Sequence, residues 1–178
     1  YVSLGEAEHT TFSDALERYW NEVASRKRHP KQERQRINRW KVNALAQRYI
    51  ATLRGSEFAR YRDERRAAGR AENTIRLELA PVSHLFEIAR KEWGMEGLPN
   101  PLKNIRKPSG SLERARRLNP GEFELISTEL AKSSNIWVRP LFDMAIESAL
   151  RQGMLFNLQG EWVDLERQII NVPPKYRG

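Results

Sequence analysis

Apolar residues return at helical spacing through most of this chain and at strand spacing only near its end. Phe12, Leu16, Tyr19, Trp20 and Val23 predict a helix with one apolar face, capped by Thr11 or Ser13 and running to about Arg26. His29-Pro30 interrupts the pattern, because a proline pushes the residue before it out of helical geometry. A second helix is expected from Lys31 to about Asn43, on a thin stripe of Ile37, Trp40 and Val42. Leu53 to Gly55 reads as a turn. Ser56 then caps a third helix to about Ala68, striped by Phe58, Tyr61 and Arg65 and stopped by Gly69. A fourth helix runs from Glu72 or Asn73 to Trp93, on Ile75, Leu79, Val82, Leu85, Phe86 and Ala89. Pro81 falls inside it and predicts a kink or local break.

Beyond Gly97 the stripe is lost, and Asn100 to Ser111, with Pro101, Pro108 and Gly110, reads as a linker. Asn119 is an expected N-cap, with Pro120 at the first helical position and Glu122 in the first turn. Helices are expected at about 120–132, 136–150 and 152–158. The period then shortens to two. Trp162 to Leu165 and Gln168 to Val172 predict two short strands around a turn at Glu166-Arg167. A lone hairpin is marginal, so this unit reads as an α+β domain whose sheet has only begun. The fold expected is mainly α, in three parts: a four-helix domain over 1–107, a linker over 108–117, and a second domain over 118–178.

Composition adds a compartment and excludes some chemistry. The 178 residues are 39% hydrophobic, enough for a packed core. There is no cysteine, hence no disulfide framework and no Cys-based zinc site. No apolar run approaches a membrane span and no signal peptide is visible, which predicts a cytoplasmic, nucleoid-associated protein. Charge changes the picture more. Residues 1–117 hold 25 Lys/Arg against 15 Asp/Glu, while 118–178 hold 6 against 8. A basic front and a near-neutral back suggest two units with different tasks. A basic surface attracts nucleic acid, anionic membrane or acidic protein.

Three basic stretches are candidate nucleic-acid contacts. Lys31, Arg34, Arg36, Arg39 and Lys41 are too many for one face of the second helix, so some must face solvent or phosphate. Asn73, Thr74 and Arg76 open the fourth helix, where unpaired backbone N–H groups suit phosphate and Thr or Arg can reach base edges. Lys103, Arg106 and Lys107 begin a strap to Arg117 that carries six basic residues and one acid. Each has a plain alternative: a solvated helix face, an ordinary N-cap, a solvated linker. His9, His29 and His84 lie at no metal-ligand spacing, and there is no Gly-rich phosphate loop. No metal and no cofactor is expected. Arg151, followed by Gln152-Gly153, reads by itself as a helix-terminus cation.

The order of the pieces resembles the tyrosine recombinases of the phage-integrase family. The second unit carries Arg117 to Phe123, Ala149-Leu150-Arg151-Gln152-Gly153, and Asn157-Leu158 followed by Val163 to Glu166. The front carries Thr74-Ile75-Arg76, Asn100-Pro101, Ile105 to Pro108, and Ile88 to Gly94, a stretch similar to integrases of the shufflon-inversion type. The resemblance covers nearly the whole chain. It implies a helical SAM-like core-binding domain followed by the opening of the catalytic domain.

The family cuts and rejoins duplex DNA through a 3′-phosphotyrosyl intermediate, within a tetrameric synapse. The resemblance makes Arg151 the first catalytic arginine and Lys175 the best candidate for the lysine that protonates the leaving 5′-oxygen. Arginine suits the first role because its planar, permanently charged fork can hold two non-bridging oxygens as their charge grows. Two positions depart from the pattern. Met154 stands where the family usually has a carboxylate, and Gln159-Gly160 where it often has Arg-Trp. Both predict a weakened or altered Arg151 site. The later His-x-x-Arg box and the tyrosine nucleophile have no counterpart here. The expectation is therefore an N-terminal portion of an integrase that binds DNA but does not cleave it. Two alternatives are an integrase-derived accessory or regulatory DNA-binding protein and a helical interaction module.

Overall fold

The computed structural model describes residues 5–110 and 116–176. The middle of the expected linker, residues 111–115 with Arg114, lies outside the described residues. The chain divides into two compact units, Tyr1–Glu113 and Arg114–Gly178. Among the described residues the secondary structure is mainly helical, with one two-stranded sheet.

The first unit holds four helices: α1 (Phe12–Glu22), α2 (Pro30–Lys41), α3 (Gly55–Ala67) and α4 (Glu72–Glu92). Short 3-10 turns fill the connections at Gly5–Glu8, Ala24–Arg26, Ala44–Gln47 and Ile50–Thr52. Apolar periodicity does not signal such turns. Thr11 caps α1, its hydroxyl accepting from the Asp14 amide at 3.1 Å. The helix closes at Glu22, four residues before the expected end, and a 3-10 turn takes over. Pro30 is the first residue of α2 rather than a breaker ahead of it. Its fixed φ and missing N–H suit the first turn.

The expected break at Pro81 does not occur, and α4 runs unbroken through it. Leu79, Val82, Leu85 and Phe86 are buried on both sides of the proline, so packing holds the helical course. The core is aromatic at its centre. Trp40 of α2 lies 4.2 Å from Tyr61, 5.7 Å from Phe58 and 5.8 Å from Phe12, between ring centroids. This anchors α2 despite its thin stripe, since one large aromatic brings the burial of several aliphatics.

The segment from Asn100 to Pro108 is not a free linker. Asn100 is buried; its amide nitrogen donates to the Ser83 carbonyl at 3.0 Å and to Glu87 Oε1 at 2.9 Å. Leu102 and Pro108 are buried as well. A Cβ on Gly55 would stand 2.9 Å from the Pro101 carbonyl oxygen, so the start of α3 needs glycine where this segment crosses it. Proline and glycine here mark a tightly docked return, not flexibility.

The second unit holds α5 (Glu122–Leu130), α6 (Val138–Ser148), α7 (Gln152–Phe156) and the strands β1 (Val163–Asp164) and β2 (Ile169–Ile170). The strands pair antiparallel, Val163 with Ile170 and Asp164 with Ile169. Asn119 is not the N-cap of α5. That position is Gly121, at φ 84°, a left-handed conformation that glycine adopts freely. The Asn119 amide instead donates to the Glu122 carboxylate at 2.9 Å. Phe123 and Phe142 stack at 5.6 Å to join α5 and α6. Burial is thin: Leu155, Trp162 and Val172 are the buried hydrophobic residues among those described in this unit.

Candidate nucleic-acid interface

Three basic residues of α2, Arg34, Arg39 and Lys41, are drawn into the fold by carboxylates from other helices. Arg34 donates to both oxygens of Glu17 on α1, at 3.1 and 3.2 Å. Lys41 reaches the same carboxylate at 2.7 Å. These two cations, led by the Lys41 hydrogen bond, hold the Glu17 carboxyl below its ordinary range. Arg34 also lies over the Trp20 ring, 4.9 Å from its centroid. Arg36 faces Glu33 at 3.5 Å, a loose pairing. Lys31 is exposed and makes no ion pair among the described residues.

Arg39 is bound to Glu78 of α4, the most heavily used carboxylate in the molecule's described part. Arg65 donates to it twice, at 2.9 and 2.7 Å, and the Tyr61 hydroxyl at 2.8 Å. The Glu78 carbonyl accepts from the Trp40 indole at 2.8 Å. The side chain is 5% exposed. Burial alone would raise its pKa, but the hydrogen bonds from Arg65 and Tyr61 and the nearby arginine charges outweigh that and lower it. Glu78 thus ties α2, α3 and α4 at one point.

Beside this knot runs a groove of about 210 Å³ between α2 and the first half of α4. It brings together Arg36, Arg39 and Thr74, three of the residues singled out from the sequence. Gln32, Gln35 and Leu77 line it too, and sequence reasoning passed over them. Their signal was present: Gln32, Gln35, Arg36 and Arg39 recur at three- and four-residue spacing, one face of a helix.

The other candidates fall elsewhere on the first unit. Arg76 is exposed and hydrogen-bonds Asn73 Oδ1 at 3.2 Å. With Lys107 it borders a second pocket, on the other side of α4, which also contains Ser83, His84 and Glu87. Desolvation lowers the His84 pKa, and the Lys27 charge adds to it. Lys103 binds Glu87 at 3.0 Å. Hydrogen bonds from Asn100 and Lys103 bring the Glu87 carboxyl down to about 2. Arg106 is exposed, and its carbonyl accepts from Arg62 at 2.7 Å. Arg76, Arg106 and Lys107 make no ion pair among the described residues.

In the second unit Arg151 is the exposed N-cap residue of α7, in extended conformation at φ −66° and ψ 147°. The preceding Ala149 has φ 53°, so α6 ends in a left-handed turn. Two sharp changes of backbone direction therefore carry Arg151 out of the helical run. Met154 donates its amide to the Arg151 carbonyl at 2.8 Å, and its thioether cannot pair with a guanidinium as a carboxylate would. Lys175 is exposed in a 3-10 turn, Pro174–Tyr176, after the hairpin. Its ammonium lies 4.8 Å from the Tyr176 ring centroid. Among the described residues no group of three or more His, Asp or Glu side chains is placed to hold a metal. No helix there is long and apolar enough to cross a membrane.

The sequence is similar to known proteins over most of its length. The phage integrase N-terminal domain family matches residues 8–108, more than half of the chain. A shufflon-specific DNA recombinase of Escherichia coli is 35% identical over 175 residues, covering 94% of this chain and 45% of that protein. A provisionally named integrase/recombinase of Haemophilus influenzae is 26% identical over 174 residues, covering 95% of this chain and 57% of its own length. The chain thus spans about half the length of the curated relatives it matches. No solved structure matches it.

Proposed function

The chain belongs to the phage-integrase family, and from that premise we propose that it is a DNA-gripping part of a site-specific recombinase. The first unit binds duplex DNA, with the groove between α2 and α4 as its centre. The observation that carries this reading is the gathering of Arg36 and Thr74 on that groove from two separate helices, beside the Glu78-bound Arg39. Lys31, Asn73, Arg76, Arg106 and Lys107 supply further phosphate contacts elsewhere on the first unit. Arg34 and Lys41, which share the Glu17 carboxylate, and Lys103, paired with Glu87, contribute less.

In the second unit Arg151 holds the non-bridging oxygens of the phosphate to be cut. Lys175 acts as general acid toward the leaving 5′-oxygen. In the same reading the reaction is strand exchange through a 3′-phosphotyrosyl intermediate, with protomers assembling on DNA as a tetramer. No tyrosine of these 178 residues is nominated as nucleophile, and the chain by itself is expected to bind DNA without cutting it.

Binding to a random-sequence duplex, measured by fluorescence anisotropy across a salt series, tests the reading. Log affinity should fall steeply with log salt. Replacing Lys31, Arg76 or Lys107 by Ala should each reduce the slope by about one, whereas Arg34→Ala should change it by clearly less. A flat salt response of the unsubstituted chain would remove DNA as the partner.

A further inference from the structure

The groove between α2 and α4 has the wrong lining for a surface that only neutralises phosphate. Arg39 is tethered to Glu78, which Arg65 shares, and Arg36 stands near Glu33, which Lys27 shares, so neither guanidinium is wholly free to follow a phosphate. Uncharged groups line the same groove. Gln32 and Gln35 are exposed on α2, one turn apart. Among the described residues neither side-chain amide has a hydrogen-bond partner. Opposite them, on α4, are the exposed Thr74 and Leu77, the latter 36% exposed.

An open amide, a hydroxyl and an exposed aliphatic group are the set that reads base edges rather than backbone. A glutamine can bond bidentately to the N6 and N7 atoms of adenine, and an apolar side chain can meet the methyl group of thymine. The twelve residues of α2 make a rod about 18 Å long and, with its side chains, about 10–12 Å across, which the major groove, about 12 Å wide, admits. The Glu78 knot gives the amides a rigid base. It fixes Arg39 and Trp40 on α2 against α4, so the facing residues of the two helices keep a constant separation.

We propose that Gln32 and Gln35 are specificity-determining residues, which read adenine in the major groove of the target duplex from a groove completed by Thr74 and Leu77. The proposal rests on the DNA-binding reading above and goes further in saying which residues choose the sequence. Arg36 and the open cations of the first unit set affinity and register. The two amides set preference.

Selection of duplexes from a randomised pool by the 178-residue chain, and by its Q32A/Q35A variant, tests it. The unsubstituted chain should enrich a motif containing adenine. The variant should lose that preference by about tenfold for each bidentate contact removed. Its salt slope on random duplex should hold, because neither substitution removes a charge. Both residues are exposed, and an unchanged thermal melt would establish that the variant is folded. An identical motif from both proteins overturns the proposal, as does salt-dependent binding by the unsubstituted chain with no motif at all. Failure of that chain to bind any duplex instead overturns the DNA reading itself, so the two failures are distinguishable.

Discussion

Glu78 shows how much one residue can decide here. It is a carboxylate on the face of α4 that carries Ile75, Leu79 and Val82, where an apolar residue would be expected. Its cost of burial is offset by Arg65, Tyr61 and the half-exposed Arg39. Removing one partner from such a cluster leaves the others unpaired, which is the expensive direction. Glu78→Ala is expected to destabilise the first unit by about 2–4 kcal/mol in urea unfolding, with Glu78→Gln losing less because it keeps an acceptor. A loss under about 1 kcal/mol would place Glu78 among ordinary surface pairs. This knot was not legible in the sequence. Glu78 lies 39 residues from Arg39 and 13 from Arg65, so no local spacing connects them.

At the scale of elements, the four front helices could be read from periodicity, because each buries one face, and the hairpin from its shorter period. Their ends could not. The end of α1 turns on Val23 at φ −125° and ψ −57°, the start of α2 on the fit of Pro30 to a first turn, and the cap of α5 on the left-handed Gly121. The segment from Asn100 to Pro108 was misread for a different reason. Its two prolines suggest a loose connection, but buried Leu102 and Pro108 dock it on the helices. Gly55 reports on that docking. Gly55→Ala places a methyl group 2.9 Å from the Pro101 carbonyl oxygen and 3.2 Å from Ile105 Cγ2, and backbone cannot yield cheaply. We expect a loss of about 1–3 kcal/mol, read as a lower thermal midpoint. A midpoint equal to that of the unsubstituted chain would mean the segment is not held against α3.

Across the whole molecule the two units differ in how much they bury. The first packs Phe12, Tyr19, Trp40, Phe58 and Phe86 at its centre, all 0–1% exposed. The second leaves Leu125, Ile136, Trp137, Phe156 and Leu165 exposed at 63–84%, and α6 has no buried residue. Local opening follows buried apolar contact. Hydrogen exchange read by mass spectrometry should therefore show strong protection for amides of α1, α2 and α4, and faster exchange for those of α5, α6 and α7. Equal protection in both units would contradict the difference in packing.

The sequence by itself determined the helical class, the change to strand period near its end, the basic front unit and the family, because periodicity, composition and motif order are local properties of the chain. Only the tertiary structure decided which basic residues remain open. Arg34, Lys41 and Arg39 meet carboxylates contributed by α1 and α4, whereas Lys31, Arg76, Arg106 and Lys107 make no ion pair among the described residues. Charge can be counted along a chain, but its partners are brought within reach only when distant helices pack.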